Sequence, residues 1–352
     1  MKALIGMSGG VDSSVAAWLT QQEGLSCIGA TMKLYTGQDG GTAASRDAED
    51  ARMIADRLGM PFYLLDLSDA FRQQVMEAFV RCYECGATPN PCIACNRHLK
   101  FGAFLHCARE LGCDYVVTGH YARITRDPVT GRYLLQTALD EAKDQSYFLY
   151  TLTQEQLAHT RFPLGELTKA EVRQIAQQHG FINARKRDSQ DICFVPDGDY
   201  MAFLERFTGK AYPAGEFRDL QGKPVGTHRG AVAYTIGQRK GLGLAMGAPV
   251  YVCGKDMTAN TVTVGPNEAL FQRSLRATDV NWIAVETLTQ PLRVQAKARS
   301  RMNAQPATVY PEENGGIRVE FDEPQRAITP GQAVVLYQGN TVVGGGTITE
   351  AF

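Results

Sequence analysis

The sequence predicts an α/β protein with an N-terminal doubly wound parallel sheet, a small central α+β or β domain, and a C-terminal antiparallel β-barrel. Strand and helix patterns alternate through the first third of the chain, and a glycine-rich turn follows the first strand. From about Val250 the pattern changes to short alternating strands with glycine turns. We therefore expect three domains, at residues 1–195, 196–250 and 251–352.

The first strand runs into a turn that suits an oxyanion. An apolar segment leads into Ser8-Gly9-Gly10, and a helical pattern begins at Val11. Backbone N–H groups and the positive end of a helix dipole then face one spot, and the two glycines let a large anion approach. Asp12 is an acidic group able to help hold Mg²⁺ against phosphate. The turn predicts phosphate binding although the usual P-loop motif is absent; an ordinary strand-to-helix turn is the alternative.

Later elements continue the alternation that is typical of a parallel sheet. The pattern predicts strands at 27–32, 62–65 and 114–118, and helices at 47–58 and 101–111. In such sheets ligands bind outside the carboxyl ends of the strands. We therefore expect the glycine turn, Met32 and Gly119-His120 to lie along one edge, where a nucleotide would bind.

The composition fits a soluble protein of the cytoplasm. The chain has 352 residues, 44% of them hydrophobic, and a net charge of −1, so any nucleic-acid site must be a local patch. No apolar run approaches about 18 residues, and the chain starts with a strand and no secretory leader. We expect a cytoplasmic protein without membrane contact.

The nine cysteines point to reactive or metal-binding thiols, because their number is odd and they cluster in the middle of the chain. Cys82 and Cys85 form one CxxC pair and Cys92 and Cys95 another, so a four-cysteine zinc site is one interpretation. The other interpretation uses Cys193, which follows a basic run at 185–187. Nearby positive charge lowers a thiol pKa and favours the nucleophilic thiolate.

Two later stretches are candidates for recognition. Thr168 and Glu171 predict a capping box that begins a helix. Further on, alternate positions of one predicted strand are polar and mostly basic: Arg293, Gln295, Lys297, Arg299 and Arg301. A period of two puts them on one face, which is either a solvated barrel exterior or a surface for an RNA backbone.

Seven motifs in chain order cover nearly the whole sequence: SGGVDSS, TPNPCIACNR, TGHYAR, KDQSYFL, DSQDICF, YTIGQRKGLG and AITPGQ. With these motifs the chain resembles the tRNA-specific 2-thiouridylases, a family of PP-loop ATP pyrophosphatases that place sulfur on C2 of the wobble uridine of tRNA. The resemblance implies that ATP adenylates the C2 oxygen with release of pyrophosphate. A persulfide sulfur then displaces AMP and leaves 2-thiouridine.

The resemblance also assigns residues. It makes Cys193 the persulfide carrier, and Cys95 the nucleophile that closes a disulfide with it. The ATP site would comprise Gly6, Met7, Ser8, Gly9, Gly10, Val11, Asp12, Ser13, Met32 and Gly119. The target base would meet Asn90, Pro91 and Cys92, and other tRNA contacts would be His120, Lys143, Asp144, Gln145 and Gln332. We add Arg299 and Arg301 from the basic strand.

Several alternatives stay open at this level. Cys92, Cys95 and Cys193 could together hold a 4Fe-4S cluster whose open iron carries a hydrosulfide, as in related tRNA thiolases. A different PP-loop enzyme would use its adenylate to form an amide, and an RNA-binding protein with a zinc site would cleave no ATP. The expected partners are the anticodon loop of tRNA and a sulfur-donor protein, either a persulfide relay protein or a cysteine desulfurase. The chain is expected to act as a monomer.

Overall fold

A computed structural model describes residues 1–35, 42–184, 186, 192–313 and 315–352, and in residues 42–45 it describes the backbone alone. The strands are β1 Lys2–Gly6, β2 Ser26–Lys33, β3 Phe62–Asp66, β4 Tyr115–Val117, β5 Arg123–Arg126, β6 Tyr133–Gln136, β7 Thr160–Arg161, β8 Gly215–Arg218, β9 Pro224–His228, β10 Tyr251–Asp256, β11 Thr261–Gly265, β12 Phe271–Trp282, β13 Leu292–Lys297, β14 Gln305–Pro311, β15 Ile317–Arg326, β16 Ala333–Gln338 and β17 Thr341–Ala351.

The helices are α1 Val11–Gln22, α2 Thr42–Arg57, α3 Ser68–Phe71, α4 Glu77–Glu84, α5 Pro91–Ala94, α6 Phe104–Glu110, α7 Ser146–Leu149, α8 Gln154–Ala158, α9 Lys169–Gln178 and α10 Tyr200–Thr208. Two π-helical segments, Arg72–Met76 and Cys95–Ala103, join α3 to α4 and α5 to α6, so each trio is one continuous helix. Short 3₁₀ turns occupy Ala231–Ala233 and Asn267–Leu270. Among the described residues, no helix is long and apolar enough to cross a membrane.

The N-terminal sheet is parallel, with strand order β3-β2-β1-β4-β7. Its first strand is buried on both faces: Ala3 and Ile5 share one core with α1, α2 and α9, whereas Leu4 shares another with α6. Helices on both faces exclude water from the backbone of a parallel strand, which explains the continuous apolar run. The predicted doubly wound sheet is confirmed.

The central sheet has the order β10-β11-β8-β9 and follows α10 in the chain. Strands β10 and β11 lie beyond residue 250, where the sequence predicted the start of the C-terminal domain, yet they pair with each other and with β8. An alternating strand pattern gives no information about which sheet a strand joins. We propose that the central domain extends to Gly265.

Six C-terminal strands form an antiparallel barrel in the order β12-β15-β14-β13-β16-β17, and pairing of β12 with β17 closes it. The predicted barrel is confirmed. A hairpin of β5 and β6, which follows β4 in the chain, extends this sheet through the pairing of Gln136 with Thr341. The barrel therefore adjoins the parallel-sheet domain, and residues such as Val335 and Tyr337 share a core with Phe104.

Candidate active site

The glycine turn after β1 has a backbone that only glycine adopts without strain. Gly9 has φ +67°, and a Cβ there would lie 2.3 Å from the carbonyl oxygen of Asp47. Gly10 is the N-cap residue of α1, and the Ser8 N–H donates to Ser13 Oγ at 3.1 Å. The sequence thus builds a tight turn at the N-terminus of a helix of twelve residues, which favours an anion.

The predicted nucleotide residues lie along one edge of the sheet. The turn follows the end of β1, Met32 lies near the end of the neighbouring β2, and Gly119 lies just beyond β4 on the other side. A Cβ on Gly119 would come within 2.8 Å of the Ser13 backbone nitrogen, so glycine is required for this close approach to the first turn of α1. The arrangement agrees with the expectation, and ATP binding by these residues stays a prediction.

The carboxylate of Asp12 is engaged by two neighbouring side chains. Lys169 Nζ donates to both carboxylate oxygens at 2.8 Å, and the Tyr121 hydroxyl donates to Oδ1 at 2.8 Å. Lys169 begins α9 and neutralises the carboxylate, which links α9 to α1. Asp12 in this arrangement does not fit a Mg²⁺ ligand, because both carboxylate oxygens accept from Lys169. The capping box of Thr168 and Glu171 is confirmed.

Two residues that the sequence did not assign hold the glycine turn. Asn183 Nδ2 donates to the Gly9 carbonyl oxygen at 3.2 Å, and Lys186 Nζ donates to the same oxygen at 3.1 Å. Lys186 also pairs with Asp47 and Asp50 of α2, at 2.6 and 2.8 Å. Its neighbours at 185 and 187 lie outside the described residues. Lys186 therefore connects α2 to the turn.

The helix of Cys92 and Cys95 begins at Pro91, earlier than the sequence predicted. Asn90 is its N-cap residue in an extended conformation, and Pro91 occupies the first helical position, which suits a residue without an N–H. Cys92 is exposed and Cys95 is buried. The two thiols therefore lie on one continuous helix and not in a loop.

Cys193 is anchored near the helix of Cys92 and Cys95 by the side chain of the next residue, Phe194. Phe194 is buried in edge-to-face contact with Phe71 and Phe79, at ring-centroid distances of 5.7 and 5.2 Å. The same core contains Cys95. This aromatic anchor brings Cys193 to the thiols of Cys92 and Cys95, since both influence its ionisation.

The protonation of these thiols contradicts one expectation from the sequence. Burial, followed by the neighbouring Cys95 and Cys92, raises the pKa of the Cys193 thiol to about 11, although the residue as a whole is exposed. Burial also raises the pKa of Cys92 and of Cys95, and Lys100 opposes the rise at all three. The expected lowering at Cys193 is wrong, because desolvation of the thiolate outweighs the positive charge that the described residues supply.

The described residues contain no group of three or more His, Cys, Asp or Glu side chains arranged to hold a metal ion. The four-cysteine zinc site and the 4Fe-4S cluster on Cys92, Cys95 and Cys193 both stay predictions. Cys82 lies on α4, where burial raises its pKa to about 11, and Cys85 is exposed at the end of that helix. These two thiols keep no assigned role.

The predicted tRNA contacts between residues 120 and 145 are mostly engaged within the protein. His120 is buried, with Nδ1 at 2.7 Å from Thr118 Oγ1 and Nε2 at 3.3 Å from Lys100 Nζ. Asp144 accepts the Ser146 hydroxyl at 2.7 Å, and Gln145 accepts the Tyr121 N–H at 2.9 Å. Lys143 is partly buried beside them. Direct contact of these side chains with tRNA stays a prediction.

The predicted alternation holds for Arg293, Gln295 and Lys297, which share the outer face of β13, but not for the two arginines that follow. The strand β13 ends at Lys297, so Arg299 and Arg301 lie beyond it, and Arg293 pairs with Asp322. Arg299 donates to the Ile236 carbonyl oxygen at 3.0 Å and to the Thr329 hydroxyl, and it thereby joins the central domain to the barrel. Arg301 is exposed, and its contact with RNA stays a prediction.

Gln332 contacts the segment that precedes Cys92. Its Nε2 donates to the carbonyl oxygens of Thr88 and Pro89, at 2.8 and 3.3 Å. Thr88 N–H donates in turn to the Pro330 carbonyl oxygen at 2.8 Å. The turn of the barrel at 330–332 therefore supports the backbone next to the predicted base-binding residues.

Comparison with known proteins agrees with this architecture. The tRNA methyl transferase HUP domain family matches residues 1–197, the tRNA methyl transferase PRC-barrel domain family matches 201–266, and the aminomethyltransferase beta-barrel domain family matches 272–348. The tRNA-specific 2-thiouridylase MnmA of Clostridioides difficile (strain 630) is 49% identical over 355 residues, which cover 99% of this chain and 98% of that protein. The protein of the same name from Moorella thermoacetica is 50% identical over 351 residues, 98% of each chain.

The chain belongs to the tRNA-specific 2-thiouridylase family. Among solved structures, the U34-tRNA thiolase NcsA from Methanococcus maripaludis with its [4Fe-4S] cluster has 17% identity, a TM-score of 0.35, and coverage of 59% of this chain and 67% of that one.

Several site residues of this family member had no signal in the sequence. Lys100 follows Cys95 by five positions in a helix whose π-helical turns the sequence does not predict. Asn183 and Lys186 reach the glycine turn from far along the chain, and Lys169 reaches Asp12 in the same way. Lys100 and Lys186 each lie within three positions of a motif, but the contacts of Asn183, Lys186 and Lys169 depend on how α9 and the following turn pack.

Proposed function

We propose that this protein uses ATP to exchange the C2 oxygen of the wobble uridine of tRNA for sulfur, with Cys193 as persulfide carrier and Cys95 as resolving thiol. The observation that carries the proposal is the closeness of the predicted nucleotide edge to the thiols. Gly119 packs against the first turn of α1, and the next residue, His120, contacts Lys100 on the helix of Cys95. Adenylation and sulfur transfer can therefore take place on one bound uridine of the tRNA.

The first half of the reaction is adenylation. The wobble uridine, unstacked from a single-stranded loop, presents its C2 oxygen to the α-phosphate of ATP, and pyrophosphate leaves. Backbone N–H groups at the N-terminus of α1 stabilise the negative charge of the phosphates. The C2 oxygen thereby becomes part of a good leaving group, AMP.

The second half is sulfur transfer. The terminal sulfur of the Cys193 persulfide attacks C2, AMP leaves, and the base is joined to Cys193 through a disulfide bond. The Cys95 thiolate then attacks the Cys193 sulfur, which breaks the bond to the transferred sulfur and releases 2-thiouridine. The product enzyme carries a Cys95–Cys193 disulfide, and two electrons from a dithiol reductant return both thiols.

The partners follow from this chemistry. A sulfur-donor protein of the cysteine desulfurase or persulfide relay type reloads Cys193, which is exposed and therefore accessible to a donor. The tRNA would contact the exposed Cys92 beside Pro91 and the exposed Arg301 of the barrel. We further propose that the protein acts in the cytoplasm, where ATP and unmodified tRNA are available.

The decisive experiment is a single turnover on unmodified tRNA with ATP and enzyme preloaded with persulfide. Wild-type enzyme should release thiolated tRNA, and Cys193→Ser should give none. Cys95→Ser should form a covalent complex of protein and tRNA that dithiothreitol releases as thiolated tRNA, because the second disulfide exchange is blocked.

Cys85→Ser is the matched control, since Cys85 is also exposed but lies on the other cysteine helix. It should behave as wild type. Absence of a covalent complex with Cys95→Ser, together with full thiolation, would contradict the relay. Iron and sulfide measured on protein purified without oxygen would then decide whether a cluster supplies the sulfur.

A further inference from the structure

The N-terminal ends of α1 and α9 lie together beside the glycine turn. Asp12 is the second residue of α1, and Lys169 is the first residue of α9. The Nζ of Lys169 donates to both carboxylate oxygens of Asp12 at 2.8 Å. Further along the two helices, the ring centroids of Trp18 and His179 lie 4.2 Å apart. The helices therefore run side by side in the same direction, and the positive ends of both dipoles lie next to the turn.

The backbone of Lys169 is held at the start of α9 by contacts on both sides. Thr168 and Glu171 form the capping box that begins the helix, and the N–H of Lys169 donates to Asp140 Oδ2 at 2.9 Å. A positive charge in the first turn of a helix opposes the helix dipole, so the ammonium of Lys169 does not stabilise α9. The charge is therefore placed here for a contact outside its own helix.

The carboxylate of Asp12 lies on the side of the expected phosphates. Helix side chains point back toward the N-terminus of their helix, and the N-terminus of α1 is where unpaired backbone N–H groups favour an anion. The side chain of Asp12 is 29% exposed, whereas that of Lys169 is 11% exposed. The Tyr121 hydroxyl donates to Oδ1 at 2.8 Å and fixes the carboxylate from a third direction. The ammonium is thus held close to the phosphate position.

A carboxylate at this place needs a positive partner before a phosphate can bind. Asp12 by itself would repel the negative charges of a polyphosphate at the same helix terminus. The sequence led us to expect Mg²⁺ as the partner of Asp12, yet both of its oxygens accept from the ammonium of Lys169. Lys186, the other lysine at the turn, is shared between the carboxylates of Asp47 and Asp50. The pair of Lys169 and Asp12 is therefore the better placed of the two to meet a phosphate.

We propose that Lys169 is a phosphate ligand of the nucleotide site, and that Asp12 and Tyr121 are residues that position its ammonium. An ammonium group has three N–H donors and rotates about its last bond, so phosphate oxygens can join or replace the carboxylate oxygens as acceptors. In turnover it stabilises the negative charge of the departing pyrophosphate. That part of the inference rests on the proposed function, whereas binding of pyrophosphate requires neither tRNA nor sulfur.

The test measures binding of inorganic pyrophosphate to the full-length protein by isothermal titration calorimetry, at a fixed Mg²⁺ concentration and without tRNA. It compares wild type with Lys169→Met, Asp12→Asn and the double variant. Lys169→Met should bind about tenfold more weakly, because a charged donor is lost and the charge of Asp12 is left without its partner. Since that variant leaves a partly buried carboxylate alone, the double variant keeps the test valid if Lys169→Met fails to fold.

The double variant separates a phosphate ligand from a mere partner of Asp12. If Lys169 contacts phosphate, the double variant should bind pyrophosphate about fivefold more weakly than Asp12→Asn, because the donor is missing in one and present in the other. Equal affinities of these two variants would overturn the proposal, since Lys169 would then only neutralise the carboxylate.

Two further variants complete the comparison. Lys169→Arg keeps the charge and should stay within about threefold of wild type. Lys210→Met is the matched control, because it breaks the pair of Lys210 with Glu84, 2.7 Å apart, on the central domain. It should bind pyrophosphate as wild type does. A loss of affinity in Lys210→Met as large as that in Lys169→Met would also contradict the proposal, since any lysine–carboxylate pair would then have the same effect.

The two proposals fail in different ways. If the covalent complex with tRNA never forms but the double variant binds pyrophosphate more weakly than Asp12→Asn, the relay is wrong and Lys169 is a phosphate ligand. If the complex forms and these two variants bind pyrophosphate equally, the relay is right and Lys169 is only the partner of Asp12.

Discussion

Arg97 and Asp279 form a bidentate ion pair that joins the helix of Cys95 to the barrel. Arg97 Nη2 donates to Asp279 Oδ1 at 3.0 Å, and Nη1 donates to Oδ2. Asp279 lies at an irregularity of β12 and has φ +50°, a conformation that costs energy for a residue with a Cβ. The barrel therefore holds a strained backbone at the point where it contacts the helix of Cys95.

We expect Asp279→Asn to slow sulfur transfer severalfold while leaving ATP binding unchanged. The asparagine tolerates the backbone conformation but loses the charge that holds Arg97, two residues from Cys95. Thiolation kinetics and nucleotide titration measure the two effects. The matched control is Asp322→Asn, which breaks the Arg293 ion pair on the barrel surface. Equal effects of the two variants on thiolation would show that the position of the ion pair does not matter.

We expect Gln332→Glu to loosen the backbone at Thr88 and Pro89, because a carboxylate would face two carbonyl oxygens that now accept hydrogen bonds. Hydrogen exchange of a peptide that covers residues 88–95 should become faster. Gln338→Glu is the control, since Gln338 donates to the Arg293 carbonyl oxygen at an exposed place on the barrel. If exchange in the 88–95 peptide is the same for both variants, Gln332 does not support this segment.

The arginines beyond β13 should separate stability from tRNA binding. Arg299→Ala should lower the free energy of unfolding by about 2 kcal/mol, because two charge-assisted bonds are lost, one to Ile236 of the central domain and one to Thr329 of the barrel. Arg301→Ala should leave stability unchanged and reduce the slope of log affinity for tRNA against log salt by about 1. Chemical denaturation and filter binding at several salt concentrations test this. A reduced slope for Arg299→Ala with an unchanged slope for Arg301→Ala would reverse the assignment.

His120 should make the protein less stable in mild acid. Burial and the charge of Lys100 hold the pKa of His120 well below 6.5 in the folded protein. As the pH falls through about 6.5, the imidazole is therefore protonated in the unfolded chain while it stays neutral in the folded protein. This contribution to stability is present above pH 6.5 and is lost as the pH falls, by about 1.4 kcal/mol per unit at most. His120→Gln should reduce the difference in unfolding free energy between pH 7.5 and 5.5.

His106→Gln is the control for that measurement, because His106 is exposed and pairs with Glu110. It should leave the difference between the two pH values nearly unchanged. A pH dependence that is the same in His120→Gln and in wild type would show that another group causes the acid loss.

The parts of the fold that the sequence predicted depend on local patterns. The apolar run of β1, the glycine turn and the capping box at Thr168 each encode their structure within a few residues, and all three are present. The errors occur where a local pattern has more than one outcome. Alternation at 251–265 predicted strands correctly but not their sheet, and the parity of Arg299 and Arg301 held no information that the strand would end at Lys297.

The same division applies to the site. The motifs determined which thiols to consider and that the glycine turn, Met32 and Gly119 would share an edge, since strand order in a parallel sheet brings carboxyl ends together. Only the tertiary structure decided the ionisation of those thiols, the partner of Asp12, and the position of Lys100. Each of these depends on desolvation and on charges contributed by distant segments, and a linear sequence contains neither the burial of a group nor the distance to its neighbours.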